Sequence, residues 1–329
     1  MIPTRDLLEE QLRQIDALIY AHIDNNHSPL AMALSQLVIS GGKRIRPRIT
    51  LLFGSLLGAE PESLLRLAAA IEMLHTASLV HDDLIDGAVL RRGRSTLNAN
   101  WSSAATTLTG DFAFAVAAQL AVQANSLPVM RLFTETLQTM VSEEISQLSS
   151  KKGITCREDY YRWIQAKTAS LFELASGAAA LLSQADEERA AAARKFGNEI
   201  GMAFQIVDDV LDFIGNQFAL GKPIGNDLRQ GIITLPTLYY FEAHPGDPDI
   251  CAVINRERGD PQRPERLFSA ISQNGAIEKA MQEAECFIQR GLTALAVFPN
   301  TPERQALAEI ARQIVPTTVC APGKVIANV

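Results

Sequence analysis

Five residues, Asp82-Asp83-Leu84-Ile85-Asp86, return almost unchanged as Asp208-Asp209-Val210-Leu211-Asp212. Both stretches lie in apolar surroundings, LVHDDLID and QIVDDVLD, with the outer carboxylates four residues apart. On an α-helix that spacing stacks them one turn apart on one face. Carboxylates so placed repel one another and resist burial, so a cation has to sit among them. Oxygen ligands in this number suit Mg²⁺, which, held by few carboxylates, completes its shell with water and substrate phosphates. The pair of motifs therefore predicts helices that bind divalent cations and handle diphosphates. Asp82, Asp86 and Asp208 are the expected direct ligands. Asp83, Asp209 and Asp212 are expected to act through water or by orienting neighbours.

Nearly every other segment reads as helix too. Residues 4–23 carry Leu7, Leu8, Leu12, Ile15, Leu18 and Ile19 at three- and four-residue spacing, an amphipathic stripe. A second helix is expected to stop at Ser40-Gly41-Gly42, and Glu60-Pro61-Glu62 to open a long apolar one that ends near the first aspartate motif. Further helices are expected over 107–125, 127–150, 157–183 and 187–214, then a loop from Gly215 to Gly231. Turn signals at Gly246-Asp247-Pro248, Gly259-Asp260-Pro261 and Asn274-Gly275 divide the last third, and Thr301-Pro302-Glu303 starts another helix. With no alternating strand pattern and no low-complexity linker, the reading is one all-α domain over 1–315 and an irregular tail over 316–329.

Composition excludes several roles. A net charge of −7 and a pI near 5.4 argue against a nucleic-acid surface. Cys156, Cys251, Cys286 and Cys320 form no CxxC pair, so reduced thiols in a cytoplasmic protein are expected. The N-terminus carries acids and no apolar run, unlike a signal peptide. The uncharged stretch from Phe112 to Met130 holds Gln119, Gln123, Asn125, Ser126 and Pro128, and reads as a buried helix ending near that proline rather than a membrane span.

Basic residues sit where anions would be held. Gly41-Gly42-Lys43-Arg44-Ile45-Arg46-Pro47 puts Lys43 and Arg46 after a flexible turn, and Arg91-Arg92-Gly93-Arg94 follows the first acidic motif. Arginine forks match phosphate oxygens two at a time. Neither stretch is a nucleotide-hydrolase phosphate loop, and no dinucleotide GxGxxG follows a strand. Lys167-Thr168 lies in a helix with core-like Ile164, Leu171 and Leu174, while Gln205 stands one turn before Asp209 on its face. His75 and His81 flank the first motif. No His/Cys set has zinc spacing, and no Ser-His-Asp arrangement can be picked out.

Together, HTASLVHDDLIDGAVLRRGR, GGKRIRP, AKTASLFELA, FQIVDDVLDF and LGKPIGNDLRQGIITLPTLYY strongly resemble the trans-isoprenyl diphosphate synthases, the polyprenyl synthetase family, in order and spacing from about residue 30 to 312. The resemblance implies a single antiparallel helical bundle around a deep central cavity. It also implies addition of isopentenyl diphosphate to an allylic diphosphate. On that likeness Asp82, Asp86 and Asp208 would hold three Mg²⁺ ions bridging to the allylic diphosphate, with Asp83, Asp209 and Asp212 completing the motifs. Arg91, Lys167, Thr168, Gln205 and Lys222 would contact the same diphosphate. Lys43, Arg46, His75 and Arg92 would hold isopentenyl diphosphate. A homodimer without stable membrane insertion is implied as well.

One departure stands out: Gly231-Ile232-Ile233-Thr234-Leu235-Pro236 has isoleucine where the family commonly has lysine. A cation near the diphosphate is missing, unless Arg229 substitutes. Product length in the family is set by residues four and five before the first aspartate. Here they are Ser78 and Ala77, both small, with Leu74 and Ile71 deeper and Phe112 or Phe114 on the next helix as the closing residue. A product of at least twenty carbons is expected. The competing readings are a class I terpene cyclase, which lacks the second aspartate cluster and GGKRIRP, and a non-catalytic partner subunit, which tends to lose aspartate motifs.

Overall fold

The structure is a computed structural model that describes residues 4–23, 30–31, 33–34, 37, 42–91, 93–149, 154–214, 225–255, 257 and 259–315. Its helices are α1 Thr4–Ile23, α2 Ile45–Leu57, α3 Pro61–Ile85, α4 Leu97–Asn100, α5 Ser103–Gln123, α6 Leu127–Ser149, α7 Arg157–Ile164, α8 Ser170–Leu182, α9 Glu187–Ile214, α10 Asn226–Gln230, α11 Leu235–Ala243, α12 Pro248–Ile254, α13 Arg263–Gln273, α14 Ala276–Ala294 and α15 Pro302–Arg312. Among the described residues the only strands are β1 Leu90–Arg91 and β2 Arg94–Ser95, an antiparallel pair turned at Gly93. The expected end of a second helix at Ser40-Gly41-Gly42, and the 316–329 tail, lie largely or wholly outside the described residues.

Two compact units emerge. The first comprises Met1–Leu137, Leu171–Gly197 and Ala294–Ile310. Its core element is α3, buried on nearly every side from Leu64 to Val80. Glu60 caps this helix by accepting from the Glu62 and Ser63 amides at 2.9 and 2.7 Å, with Pro61 in the first turn. α5 runs antiparallel along it: Arg66 donates to the Gln123 carbonyl at 3.3 Å near one end, and His81 Nε2 stands 3.3 Å from Asp111 at the other. A Cβ at Gly110 would run into the His81 ring, so glycine permits the close approach. In α1 the buried stripe is Leu8, Leu12, Ile15, Ile19 and Ile23, whereas Leu7 faces out. Phe53 packs edge-on to Phe196 and Phe298, centroids 5.4 and 5.5 Å apart.

The second unit comprises Gln138–Ser170, Asn198–Thr293 and Ala311–Val329. The expected helix over 157–183 is interrupted there by a π-helical turn, Gln165–Ala169, around Lys167 and Thr168. Such turns widen a helix locally and are frequent at functional sites. Asp247 caps α12 at the Asp249 and Ile250 amides, and Gly275 at φ 82° separates α13 from α14.

The apolar helix ends just before Pro128. α5 ends at Gln123, Asn125 turns at φ 55°, and Pro128 sits in the first turn of α6, where its missing N–H costs nothing. α3 and α5 are long and apolar enough to cross a bilayer by length and composition alone, and both pack inside the first unit. Cys156, Cys251 and Cys286 are free thiols.

Candidate active site

In the first unit the acidic motif occupies the C-terminal end of α3. Asp86 is the capping residue, its N–H donating to the Asp82 carbonyl at 2.9 Å. A helix C-terminus carries partial negative charge, which adds to that of the carboxylates in favouring a cation. The three aspartates are placed differently. Asp83 is buried and accepts hydrogen bonds of 2.9 and 3.1 Å from Arg91 Nε. Asp82 is half-buried and Asp86 exposed. Arg91 therefore props the motif from β1, through the turn at Gly87.

Lys43 is exposed, and Arg46 lies half-buried with its guanidinium 4.4 Å over the Phe172 ring, a cation–π seat that orients it. Between them Arg44 holds the loop in place, bonding Glu72 at 2.6 Å and Asp16 at 2.9 Å. An acid buried mid-helix at 72 was a signal that some cation had to reach it. His75 is half-buried, and its carbonyl accepts from Ser78 Oγ at 2.8 Å. Ala77, Leu74 and Ile71 are fully buried. The Phe114 ring stacks on His81, centroids 5.3 Å apart. That level belongs to the aspartate motif, so Phe114 does not stand opposite Leu74. With α5 antiparallel, the residues opposite Leu74 lie less than a turn further along than Phe114, near Val116 and Ala117, both buried.

In the second unit the motif lies within the last two turns of α9. Asp208 is exposed. Asp209 is buried, accepting from the Tyr160 hydroxyl at 2.6 Å and from Gln205 Nε2 at 2.8 Å. Burial pushes the Asp209 carboxyl well above the usual range; the Tyr160 and Gln205 donors pull the other way, and Asp227 adds to the rise. Asp212 accepts the amides of Asn226 and Asp227 at 3.2 and 3.1 Å, and its carbonyl accepts Gly225 N–H, tying α9 to α10.

The π-turn presents two more expected residues. Thr168 Oγ1 donates to Gln205 Oε1 at 2.7 Å. Lys167 Nζ stands 3.1 Å from Glu144 and 5.8 Å from the Trp163 ring centroid. Arg229 faces Glu265 at 3.3 Å, while Ile232 is half-buried with its N–H on the Asp227 carbonyl. Arg92 and Lys222 lie outside the described residues. Nothing in the spacing of Tyr160 or Glu144 ties them to the residues they hold, so neither is predicted from the sequence.

Among the described residues no three His, Cys, Asp or Glu side chains come close enough to cage a metal. The donor set nevertheless fits Mg²⁺, which commonly takes one or two carboxylates and leaves its other positions to water and substrate phosphates. In each motif one aspartate is buried and hydrogen-bonded within the protein, while Asp86 in one and Asp208 in the other are solvent-exposed.

The profile of the family described as Polyprenyl synthetase matches residues 27–271. The chain is 33% identical over 309 residues to an octaprenyl diphosphate synthase of Haemophilus influenzae, covering 93% of each. It is 35% identical over 310 residues to heptaprenyl diphosphate synthase component 2 of Bacillus subtilis, covering 94% of this chain and 86% of that one. Among solved structures, a polyprenyl synthase from Caulobacter crescentus complexed with calcium and isoprenyl diphosphate superposes with a TM-score of 0.88 at 34% identity, over 94% of this chain and 95% of that one.

Proposed function

Because the chain belongs to the polyprenyl synthetase family, with the all-α isoprenoid synthase fold and the all-trans prenyltransferase activity that gives products of twenty carbons or more, we propose how its residues divide that reaction. The substrates are isopentenyl diphosphate and an allylic diphosphate. Asp82, Asp86 and Asp208 would hold Mg²⁺, with Asp83, Asp209 and Asp212 fixing the helix ends that carry them. Bound Mg²⁺ supplies positive charge to the diphosphate as the allylic C–O bond ionises. Lys167, Thr168 and Gln205 grip the same leaving group, and preorganised cations and donors of this kind stabilise the charge it carries away. Arg91 keeps Asp83 in place and lies beside that anion.

Lys43, Arg46 and His75 hold isopentenyl diphosphate, whose double bond then attacks the allylic carbon, and the resulting cation loses a proton to the released diphosphate to restore a double bond. Arg92 and Lys222 join these two sets on the family resemblance alone. Apolar side chains along α3, Ala77 and Leu74 with Ser78 at their head, line the growing chain and keep water from the carbocation. The observation that carries the reading is the division within each motif between a buried aspartate held by hydrogen bonds inside the protein and a solvent-exposed one. We place the protein in the cytoplasm as a homodimer, with Leu108 and Val122 of α5, 67% and 58% exposed, as apolar residues for the subunit contact.

Incubation with Mg²⁺, farnesyl diphosphate and labelled isopentenyl diphosphate tests the assignment. Incorporation into an apolar all-trans product is expected. A cyclic hydrocarbon, or no incorporation by the purified chain, would refute it; activity restored only by a second protein would make the chain one component of a synthase.

A further inference from the structure

Tyr160 has no role in the scheme above, yet it is fully buried and its one side-chain polar atom makes a single short bond, to Asp209 Oδ2 at 2.6 Å. The other oxygen of that carboxylate accepts from Gln205, and the Gln205 carbonyl accepts from Thr168. Two rungs therefore join the run containing α7 and the π-turn to α9: Tyr160 to Asp209, and Thr168 to Gln205. The rungs are eight residues apart on one side and four on the other, about 12 Å against 6 Å by helical rise. Thr168 itself lies in the π-turn, where the helix departs from regular α geometry. A carboxylate buried this deeply needs its oxygens matched by donors, and Tyr160 and Gln205 supply one to each oxygen of Asp209.

We propose that Tyr160 is a positioning residue of the prenyl-transfer site. By holding Asp209, and through it Gln205 and Thr168, it sets how the carboxylates of α9 and the Thr168 hydroxyl meet the allylic diphosphate, without touching substrate or metal. The inference rests on the assignment of those residues to the allylic diphosphate made above.

The full-length wild type is assayed first with Mg²⁺, farnesyl diphosphate and labelled isopentenyl diphosphate. No turnover there overturns the site assignment together with this inference, whereas the variants below judge the inference alone. Tyr160→Phe keeps the ring and removes the donor. It is expected to raise the allylic KM or the Mg²⁺ half-saturation about tenfold or more, with the isopentenyl diphosphate KM within about twofold of wild type. Tyr160→4-aminophenylalanine, which restores an N–H donor at the same reach, is expected to bring the allylic KM back to within about threefold. The Tyr160→Phe/Asp209→Asn double variant should be no worse than Asp209→Asn alone, within about twofold, because the two residues act as one unit. Equal shifts in both KM values, or a lower melting temperature with both KM values unchanged, would reduce Tyr160 to packing and overturn the proposal. Should Tyr160→Phe not fold, the 4-aminophenylalanine variant decides: an allylic KM near wild type supports the proposal, and one raised as far as in Asp209→Asn overturns it.

Discussion

Ala77→Phe tests where the growing chain runs. Ala77 is fully buried on α3, five residues before Asp82, which places it roughly 7 Å from that residue along the helix axis. Leu74 and Ile71 follow at about 12 and 16 Å. Each added isoprene unit lengthens the chain by four carbon–carbon bonds, roughly 5 Å when extended. A phenyl ring at 77 therefore meets the chain at about its second or third unit, and the main product should fall from twenty or more carbons to about fifteen. Forcing a ring into a buried alanine position also costs about 1–3 kcal/mol through overpacking. At about 2–4 °C per kcal/mol for a chain of this size, the melting temperature drops without abolishing the fold at assay temperature. The assay uses geranyl diphosphate and labelled isopentenyl diphosphate, with reverse-phase chromatography of the dephosphorylated products. Full-length product from folded Ala77→Phe would show that the chain does not pass this face of α3.

Asp82→Asn and Asp208→Asn should each lower kcat by about 10²–10³, with little change in melting temperature because neither side chain is fully buried; rates within tenfold of wild type would remove them from the metal site. EDTA should abolish turnover and added Mg²⁺ restore it. Ile232→Lys should lower the allylic KM by returning the missing cation, and an unchanged KM and kcat would make that charge irrelevant. Asp247 gives a pH test outside the site. Burial pushes its carboxyl up, but the Tyr240 hydroxyl at 2.6 Å and the Ile250 and Asp249 amides outweigh that and hold it below the ordinary 3.8. Its stabilisation is therefore present above that value and is lost as pH falls through the depressed one. Denaturant titrations should find Asp247→Asn less stable than wild type at pH 7, with the gap closing at acid pH; a constant gap would contradict the reasoning.

Much of the helical order was legible along the chain because it is written locally. Pro61 after Glu60, Pro248 after Asp247 and Pro302 after Thr301 open helices through caps and proline geometry that involve only neighbouring residues. The π-turn at Gln165–Ala169 was not legible, since its widening has no signature in the periodicity of AKTASLFELA.

The amino-acid order by itself determined the chemistry: paired Asp-Asp-x-x-Asp runs in apolar helices demand a cation wherever those helices end up, because charge and spacing are properties of the segment. Which aspartate of each motif is buried and which is exposed was decided only in three dimensions. Arg91 reaches Asp83 from a hairpin, and Tyr160 reaches Asp209 from a helix 49 residues earlier in the chain. Pairings of that kind arise from packing between distant segments, to which local pattern carries no pointer. The same holds for Phe114, whose partner His81 follows from how closely Gly110 lets two helices approach.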